Sequence, residues 1–326
     1  MAGVQKIIVK EDDADMRLDR WFKQYFPSVT HALLQKWLRT GQVRIDGKRG
    51  KTSVRLNSGQ TIRIPPGADQ PGRERNVSPT SDVITEADHK ALLESILYQD
   101  DDIIALNKPS GLAVQGGSKT RHHLDAMLDH LQFDAEERPR LVHRLDKDTS
   151  GILILARTRT ASVYLTDLFR TRSVQKIYWG LVVGVPTPRA GTIEKALIKG
   201  EGRGGEKMRV DDLDGKPAET HYRVIDTAEV EGVGQKVSWL ELEPKTGRTH
   251  QLRVHCASIG MPILGDGKYG GAQAYLTGLP NTRKLHLHAK FISLTLPSGT
   301  PLRLEAPLPP LMEETWNWLK FDDTGL

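Results

Sequence analysis

The sequence predicts a two-domain protein of the α+β class, and three observations predict it. The chain has 326 residues, more than one ordinary domain holds. Its charge is lopsided: residues 1–66 carry 13 Lys and Arg against 6 Asp and Glu, whereas the remainder carries 33 against 35. Segments with apolar residues at helical spacing are interleaved with segments that alternate as strands do.

Composition narrows the function classes. No run approaches the roughly 18 apolar residues of a membrane span. Met1 to Asp15 is polar, without the apolar segment of a signal peptide. The single cysteine, Cys256, excludes an internal disulfide framework and fits a reducing cytosol. The expectation is a cytoplasmic protein with no membrane partner. A compact basic module predicts a polyanionic partner, nucleic acid first. The plain alternative is a solubilising surface.

In the first module, Lys6-Ile7-Ile8-Val9-Lys10 reads as a short strand. From Arg17 the pattern turns helical, with Leu18, Trp21, Phe22 and Tyr25 on one face, and Pro27-Ser28 stops it. Thr30 is placed to cap a second helix carrying Leu33, Leu34, Trp37 and Leu38, which Gly41 ends. Two alternating strands follow, 42–46 and 59–65, the first running into an Asp46-Gly47 turn. Lys36, Arg39, Arg44, Lys48, Arg49, Lys51 and Arg55 gather on the second helix and the segment after it. Such clusters meet phosphate oxygens, because each ion contact releases counterions. The arrangement resembles an S4 domain: in the Arg17-Leu18-Asp19-Arg20-Trp21-Phe22 helix, in the helix that ends before Gly41, and in the turn from Val43 to Arg49. That resemblance implies an RNA-binding domain over residues 1–66, with Lys36, Arg39, Arg44, Lys48 and Arg49 as contacts. It implies no reaction.

Residues 67–90, rich in Pro, Gly and charge, read as a linker. Order resumes with strand-like 95–98 and 103–106. Asn107-Lys108-Pro109-Ser110-Gly111 opens a loop that runs to Gly117, where Lys108 and the Gly116-Gly117 backbone are candidates for a phosphate contact. His123 to Leu131 is a short helix.

Next comes the stretch 141–151, Leu-Val-His-Arg-Leu-Asp-Lys-Asp-Thr-Ser-Gly, set against the apolar Ile152-Leu153-Ile154-Leu155-Ala156. Charges at the edge of a core make either a surface turn or a site, and the residues alone leave both open. A helix follows from about Thr160 to Thr171. Val174 to Val183 is a strand on which Lys176 and Tyr178 share a face.

Gly200, Gly202 and Gly205 match a dinucleotide fingerprint in form only, since no helical pattern follows. Two alternating strands, 215–224 and 237–242, lead to the cluster Thr246-Gly247-Arg248-Thr249-His250-Gln251-Leu252-Arg253-Val254-His255, read as a helix capped by Thr249. His250, His255 and Cys256 lack a fourth partner for zinc, so no metal is expected. Closing strands at 286–296 and 302–304 precede a terminal helix from Thr315 to Phe321.

Four stretches, in order, resemble the RluA family of RNA pseudouridine synthases: Asn107 to Gly111, His143 to Gly151, Val174 to Tyr178, and Thr246 to His255. The long loop after Asn107 and the Val142-His143-Arg144-Leu145-Asp146 context favour the RluC branch, whose members modify 23S ribosomal RNA. The resemblance implies a catalytic domain over 91–326 with a mixed, largely antiparallel central sheet. It implies an isomerase of uridine in RNA, most of all 23S rRNA, working as a monomer and without a cofactor. Residue by residue, Asp146 matches the catalytic aspartate. Tyr178 matches the tyrosine that stacks on uracil, and Arg253 the basic residue paired with the aspartate. Arg144 matches the arginine that holds or replaces the flipped base, and Leu252 an apolar pocket residue.

These residue types suit the chemistry. The N1–C1′ bond breaks and C5 joins C1′, so no hydride carrier or metal is called for, but an ionised carboxylate is. A nearby guanidinium favours that charge, a stacked aromatic retains the detached base, and turning a uridine out of a helix costs a few kcal/mol. Two other readings remain: an RNA-binding assembly factor with no chemistry, and a hydrolase using Asp146 as a glycosidase nucleophile. The second normally needs a paired carboxylate, and no partner is evident near the motif.

Overall fold

Apolar residues at helical spacing organise the first of two units, Met1–Ser81 and Asp82–Leu326. The structure, a computed structural model, describes residues 3–68, 84–116, 122–200, 207–232 and 234–322. In the first unit, strand β1 (Gln5–Ile8) is followed by helices α1 (Leu18–Tyr25) and α2 (His31–Arg39) and strands β2 (Arg44–Ile45) and β3 (Thr61–Ile64). The strands form an antiparallel sheet in the order β1-β3-β2. Leu18, Trp21 and Phe22 of α1 and Leu34, Trp37 and Leu38 of α2 are buried with Ile45, Ile62 and Ile64. Each such side chain contributes about 1.5–3 kcal/mol. Thr30 caps α2 as expected, its Oγ1 accepting the Leu33 N–H at 3.3 Å. Asp13, buried beneath α1, accepts from Trp21 Nε1 at 3.3 Å and the Tyr25 hydroxyl at 2.7 Å.

The second unit begins with α3 (Glu86–Glu94), inside the segment expected as linker. Thr85 and Asp88 bond each other's backbone in a capping box that starts it. Residues 69–83 of that linker lie outside the described residues, as do Gly117, Gly202 and Gly205. The elements that follow are β4 (Ile96–Gln99), β5 (Ile103–Lys108), α4 (Leu124–Met127), β6 (Arg140–Leu141), β7 (Ser150–Ala156), α5 (Arg159–Thr171), β8 (Gln175–Val183), β9 (Ala190–Glu194), β10 (Leu197–Lys199) and β11 (Met208–Val210). Then come β12 (Glu219–Val230), β13 (Gln235–Pro244), α6 (Gln251–Ser258), β14 (Leu287–Thr295), β15 (Pro301–Glu305) and α7 (Pro310–Leu319). The last helix starts five residues before the expected Thr315, because Pro310 suits a first helical turn. Among the described residues no helix is long and apolar enough to cross a membrane.

Ten strands make one mixed sheet, with path β4-β5-β7-β14-β8-β13-β12-β9, β15 on β14 and β6 on β7. Its one parallel pair is β7–β14; the others are antiparallel. Every residue of β7 is buried. Ile152 and Ile154 face the core under α5, while Leu153 and Leu155 face the core that also holds Leu145. The charged stretch therefore ends in the middle of a sheet covered on both faces.

The β7–β14 pairing depends on Gly151. It has φ +107°, and a Cβ there would lie 2.3 Å from the Ala289 carbonyl oxygen and 2.6 Å from its nitrogen. Backbone, not a flexible side chain, occupies that space. Gly151→Ala is expected to lower the urea midpoint by the equivalent of about 3–5 kcal/mol, the range of severe core strain. Chemical denaturation of wild type and variant checks it, and a loss under about 1 kcal/mol would contradict the packing described.

Candidate active site

The turn that carries Asp146 is clamped from below by the Asn107–Gly111 loop. Lys108 is 1% exposed, and its Nζ donates to the carbonyls of Pro109 (2.7 Å), Leu112 (3.0 Å) and Lys147 (3.1 Å). The Gly111 N–H donates to the same Lys147 carbonyl at 2.9 Å, and Ser110 Oγ to the Asp148 carbonyl at 2.7 Å. Burial pulls the Lys108 ammonium down to about 7, against the attraction of Asp148 and then Asp146. All three of its protons are engaged, so the expected phosphate contact from Lys108 does not form. The sequence reading placed it on a loop, whereas it ends the buried strand β5.

Above the clamp lies the segment Arg144-Leu145-Asp146. Leu145 is buried, while Arg144 and Asp146 both border one cavity of about 310 Å³. Asp148 is exposed and does not line it. His143 is a structural neighbour: its Nε2 accepts the Ile154 N–H at 2.8 Å and its ring stacks on Phe169 at 4.2 Å. Burial, then Lys176, holds its pKa down to about 3, so it is neutral, as an accepting nitrogen requires.

Strand β8 forms a second wall. Lys176 and Tyr178 border the cavity together. Burial, and then the Asp146 charge, raises the Tyr178 hydroxyl well above its ordinary pKa, so the ring is a neutral aromatic surface.

Helix α6 supplies the third wall, and a buried amide builds it. Gln251 Oε1 accepts from Thr246 Oγ1 (2.7 Å) and the Arg248 N–H (3.0 Å), while its Nε2 donates to the Glu219 carbonyl (2.9 Å) and Thr220 Oγ1 (3.0 Å). This network ties the Thr246–Arg248 loop to β12. The helix starts one residue later than expected: the cap is His250, at φ +52°, and not Thr249. Leu252 and Arg253 follow it, buried at the cavity edge. Cys256 is fully buried and its thiol is pushed up to about 12 by burial, which suits a structural thiol.

One expected pairing is corrected. The Arg253 fork closes on Asp266, not on Asp146: Nε to Oδ2 is 2.9 Å and Nη2 to Oδ1 is 2.7 Å. Both side chains are nearly inaccessible, and the guanidinium lies over the Tyr269 ring at 5.1 Å. Burial works against the Arg253 charge, but Asp266, and then Asp146, outweigh it and raise its pKa. The ionisable side chain beside Asp146 is instead His250, whose Nε2 stands 3.9 Å from Asp146 Oδ1 and whose Nδ1 is 2.6 Å from the Tyr269 hydroxyl. Burial lowers the His250 pKa although Asp146 opposes it. Asp266 and Tyr269 belong to the glycine-rich segment Gly265-Asp266-Gly267-Lys268-Tyr269-Gly270. Nothing local in Gly265-Asp266-Gly267 shows that it folds back onto α6.

Among the described residues that line the cavity, Asp146 is the one carboxylate, against Arg144, Arg172, Lys176, Lys245, Arg248 and Arg253. One anion at the floor and cations around it make a receptor for a polyanion that presents a neutral base to a carboxylate. A model of the RNA pseudouridylate synthase family matches residues 102–258, a span holding all four stretches. The chain is 35% identical over 294 residues to the ribosomal large subunit pseudouridine synthase C of Rickettsia typhi, covering 90% of this chain and 94% of that protein. The chain belongs to the RNA pseudouridylate synthase family. The protein of the same name from Salmonella typhi is 35% identical over 310 residues, 94% of this chain and 93% of that one. Among solved structures, human RNA pseudouridylate synthase domain containing 4 is similar at TM-score 0.57 and 30% identity, over 71% of this chain and 95% of that one. This synthase is an isomerase that converts uridine in RNA to pseudouridine.

Asp266→Asn leaves the buried Arg253 guanidinium facing a neutral amide. Breaking a buried pair costs about 3–5 kcal/mol, whereas replacing both members with apolar groups often costs little. Denaturant midpoints are expected to fall by that amount for Asp266→Asn and by clearly less for Arg253→Met/Asp266→Leu. Equal losses would mean that the pair is not the source of the strain.

Proposed function

We propose that Asp146 is the catalytic carboxylate and that 23S ribosomal RNA is the substrate. Residues 1–66 act as an S4-like RNA-binding domain, joined by a linker at 67–90 to the catalytic domain at 91–326. The observation that carries the assignment is the solitary carboxylate in a cavity bordered by six cationic side chains. A glycosidase would need a second carboxylate there, and the described lining holds none.

In the reaction the N1–C1′ bond breaks, C5 bonds to C1′, the C5 proton leaves, and N1 takes up a proton. Atoms balance without an added reactant. Asp146 acts on the nucleotide as nucleophile or stabilising anion. Arg253, held by Asp266, favours that charge through space rather than by direct pairing. Tyr178 stacks on the uracil and keeps it in place once the glycosidic bond is broken. Leu252 packs beside it, and Arg144, at the rim, fills the space the flipped nucleotide leaves in the RNA helix. Lys36, Arg39, Arg44, Lys48 and Arg49, all exposed on the first unit, contact RNA phosphates. Relatives named as ribosomal large subunit synthases support the 23S substrate. The protein acts as a monomer in the cytoplasm.

The test is tritium release from transcripts of 23S RNA carrying 5-tritiated uridine, beside pseudouridine mapping in a strain lacking the gene. Wild type is expected to release tritium and Asp146→Asn to fall by at least about 10³-fold, with specific 23S pseudouridines missing from the deletion strain. Equal release by the variant would remove Asp146 from the chemistry. An unchanged 23S map would remove that substrate.

A further inference from the structure

The outer face of the first unit's sheet sets Lys6 and Arg63, which no reading above uses, beside Arg44, already placed on RNA. Lys6 pairs with Arg63, and Arg63 pairs with Arg44. Directly opposed residues point to one face of a sheet, about 4.5–5.5 Å apart, and like charges so placed repel. The other face of the same rows, Ile7, Ile62 and Ile45, belongs to the core. Register therefore forces the three cations outward together, and none of them forms an ion pair with a carboxylate among the described residues.

The two arginines are held in place. Arg44 donates from Nε to the Gly41 carbonyl and from Nη1 to the Gly47 carbonyl, both at 3.1 Å. Arg63 Nη1 donates to the Gln42 carbonyl at 2.9 Å. These bonds leave further guanidinium protons free. Asp46 borders the same groove, and its Oδ1 accepts the Thr61 N–H at 2.8 Å. An open groove is bordered by Lys6, Arg44, Asp46, Gly47, Thr61 and Arg63. In the next row, Ile8 stands opposite Thr61 and is 64% exposed.

A plain alternative exists for the arginines, since cations favour the carbonyl end of α2. It does not account for Lys6, which touches none of those carbonyls, nor for an exposed isoleucine beside the row.

We propose that this face is a second RNA contact surface, in which Lys6, Arg63 and Arg44 bind successive phosphodiester groups of one strand. Three strands about 4.8 Å apart give a row of about 10 Å, and three successive phosphates at a rise of about 3.4 Å span about 7 Å, a difference that long Lys and Arg side chains bridge. Ile8 lies against the sugar edge. The inference rests on the reading of the first unit as an RNA-binding domain and adds a face distinct from α2.

The experiment measures binding of the full-length protein to a 23S fragment transcript across a series of salt concentrations. It compares wild type with Lys6→Gln/Arg63→Gln, and melting temperatures are taken for both. The variant is expected to bind on the order of tenfold more weakly at 0.1 M salt, with the slope of log K against log salt shallower by about 1.4–2. Its melting temperature should be unchanged or higher, because opposed like charges have been removed. A wild-type slope in a folded variant overturns the surface while leaving the RNA-binding reading intact. If wild-type binding has no salt dependence, that reading falls and this one with it. Where the double variant melts early, Lys6→Gln alone decides: Lys6 makes no hydrogen bond in the sheet face, and an unaltered slope in that variant overturns the proposal.

Discussion

The carbonyl of Lys147 is the point on which the site depends. It accepts from the Lys108 ammonium and from the Gly111 N–H, so one backbone oxygen ties the Asp146 turn to the end of β5. A carbonyl has two lone pairs, and here both are used. The turn cannot shift without exposing a buried ammonium whose other acceptors are fixed at Pro109 and Leu112. An unpaired buried charge is among the most costly states a protein can hold. Asp146 is therefore placed by a group that never faces the cavity. Catalysis by preorganised charge requires this kind of support, since a carboxylate free to relax would follow the substrate instead of meeting its transition state.

The same economy governs the cavity's charge. Six cations and one anion line it, but Arg253 is neutralised by Asp266 outside the lining. Arg253 borders the cavity and Asp266 does not, so the pair presents its positive end to Asp146. The other cations of the lining carry no such partner fork and suit a phosphate backbone that brings its own charge. The bidentate Arg253–Asp266 pair is rigid, suited to fixing direction.

How far this was legible in the sequence depended on the range of the interaction. Periodicity located α1, α2, α5 and most strands, because burial of one face is a local pattern. Thr30 was readable as a cap because a cap acts over three residues. The capping box at Thr85 and Asp88 was equally local and was overlooked inside a segment rich in Pro and charge. The roles of Lys108 and Asp266 were not readable. Lys108 follows an apolar run and precedes Pro-Ser-Gly, so nothing nearby shows that three carbonyls, one from residue 147, will surround it. Asp266 sits between two glycines and meets Arg253 only after the chain has passed through α6 and returned. The pairing of Arg253 with Asp146, which the resemblance implied, named the right guanidinium, but its fork reaches the buried Asp266, and no local sequence pattern shows which acid a fork will reach.

The correction changes what Arg253 can do. A guanidinium paired bidentately with Asp146 would occupy both carboxylate oxygens and compete with the nucleotide for them. With its fork on Asp266, Arg253 acts on Asp146 through charge alone, and the Asp146 oxygens stay open toward the cavity. The nearest ionisable side chain is His250, 3.9 Å away, too long for a hydrogen bond. It is held in a left-handed backbone conformation that a non-glycine residue adopts only when its surroundings impose it. The surroundings here are the Tyr269 hydroxyl on its Nδ1 and the helix that begins at the next residue. Strain at His250 and the Asp266 pair are two consequences of one loop, 265–270, folding onto α6. That loop keeps the Arg253 fork away from the Asp146 oxygens.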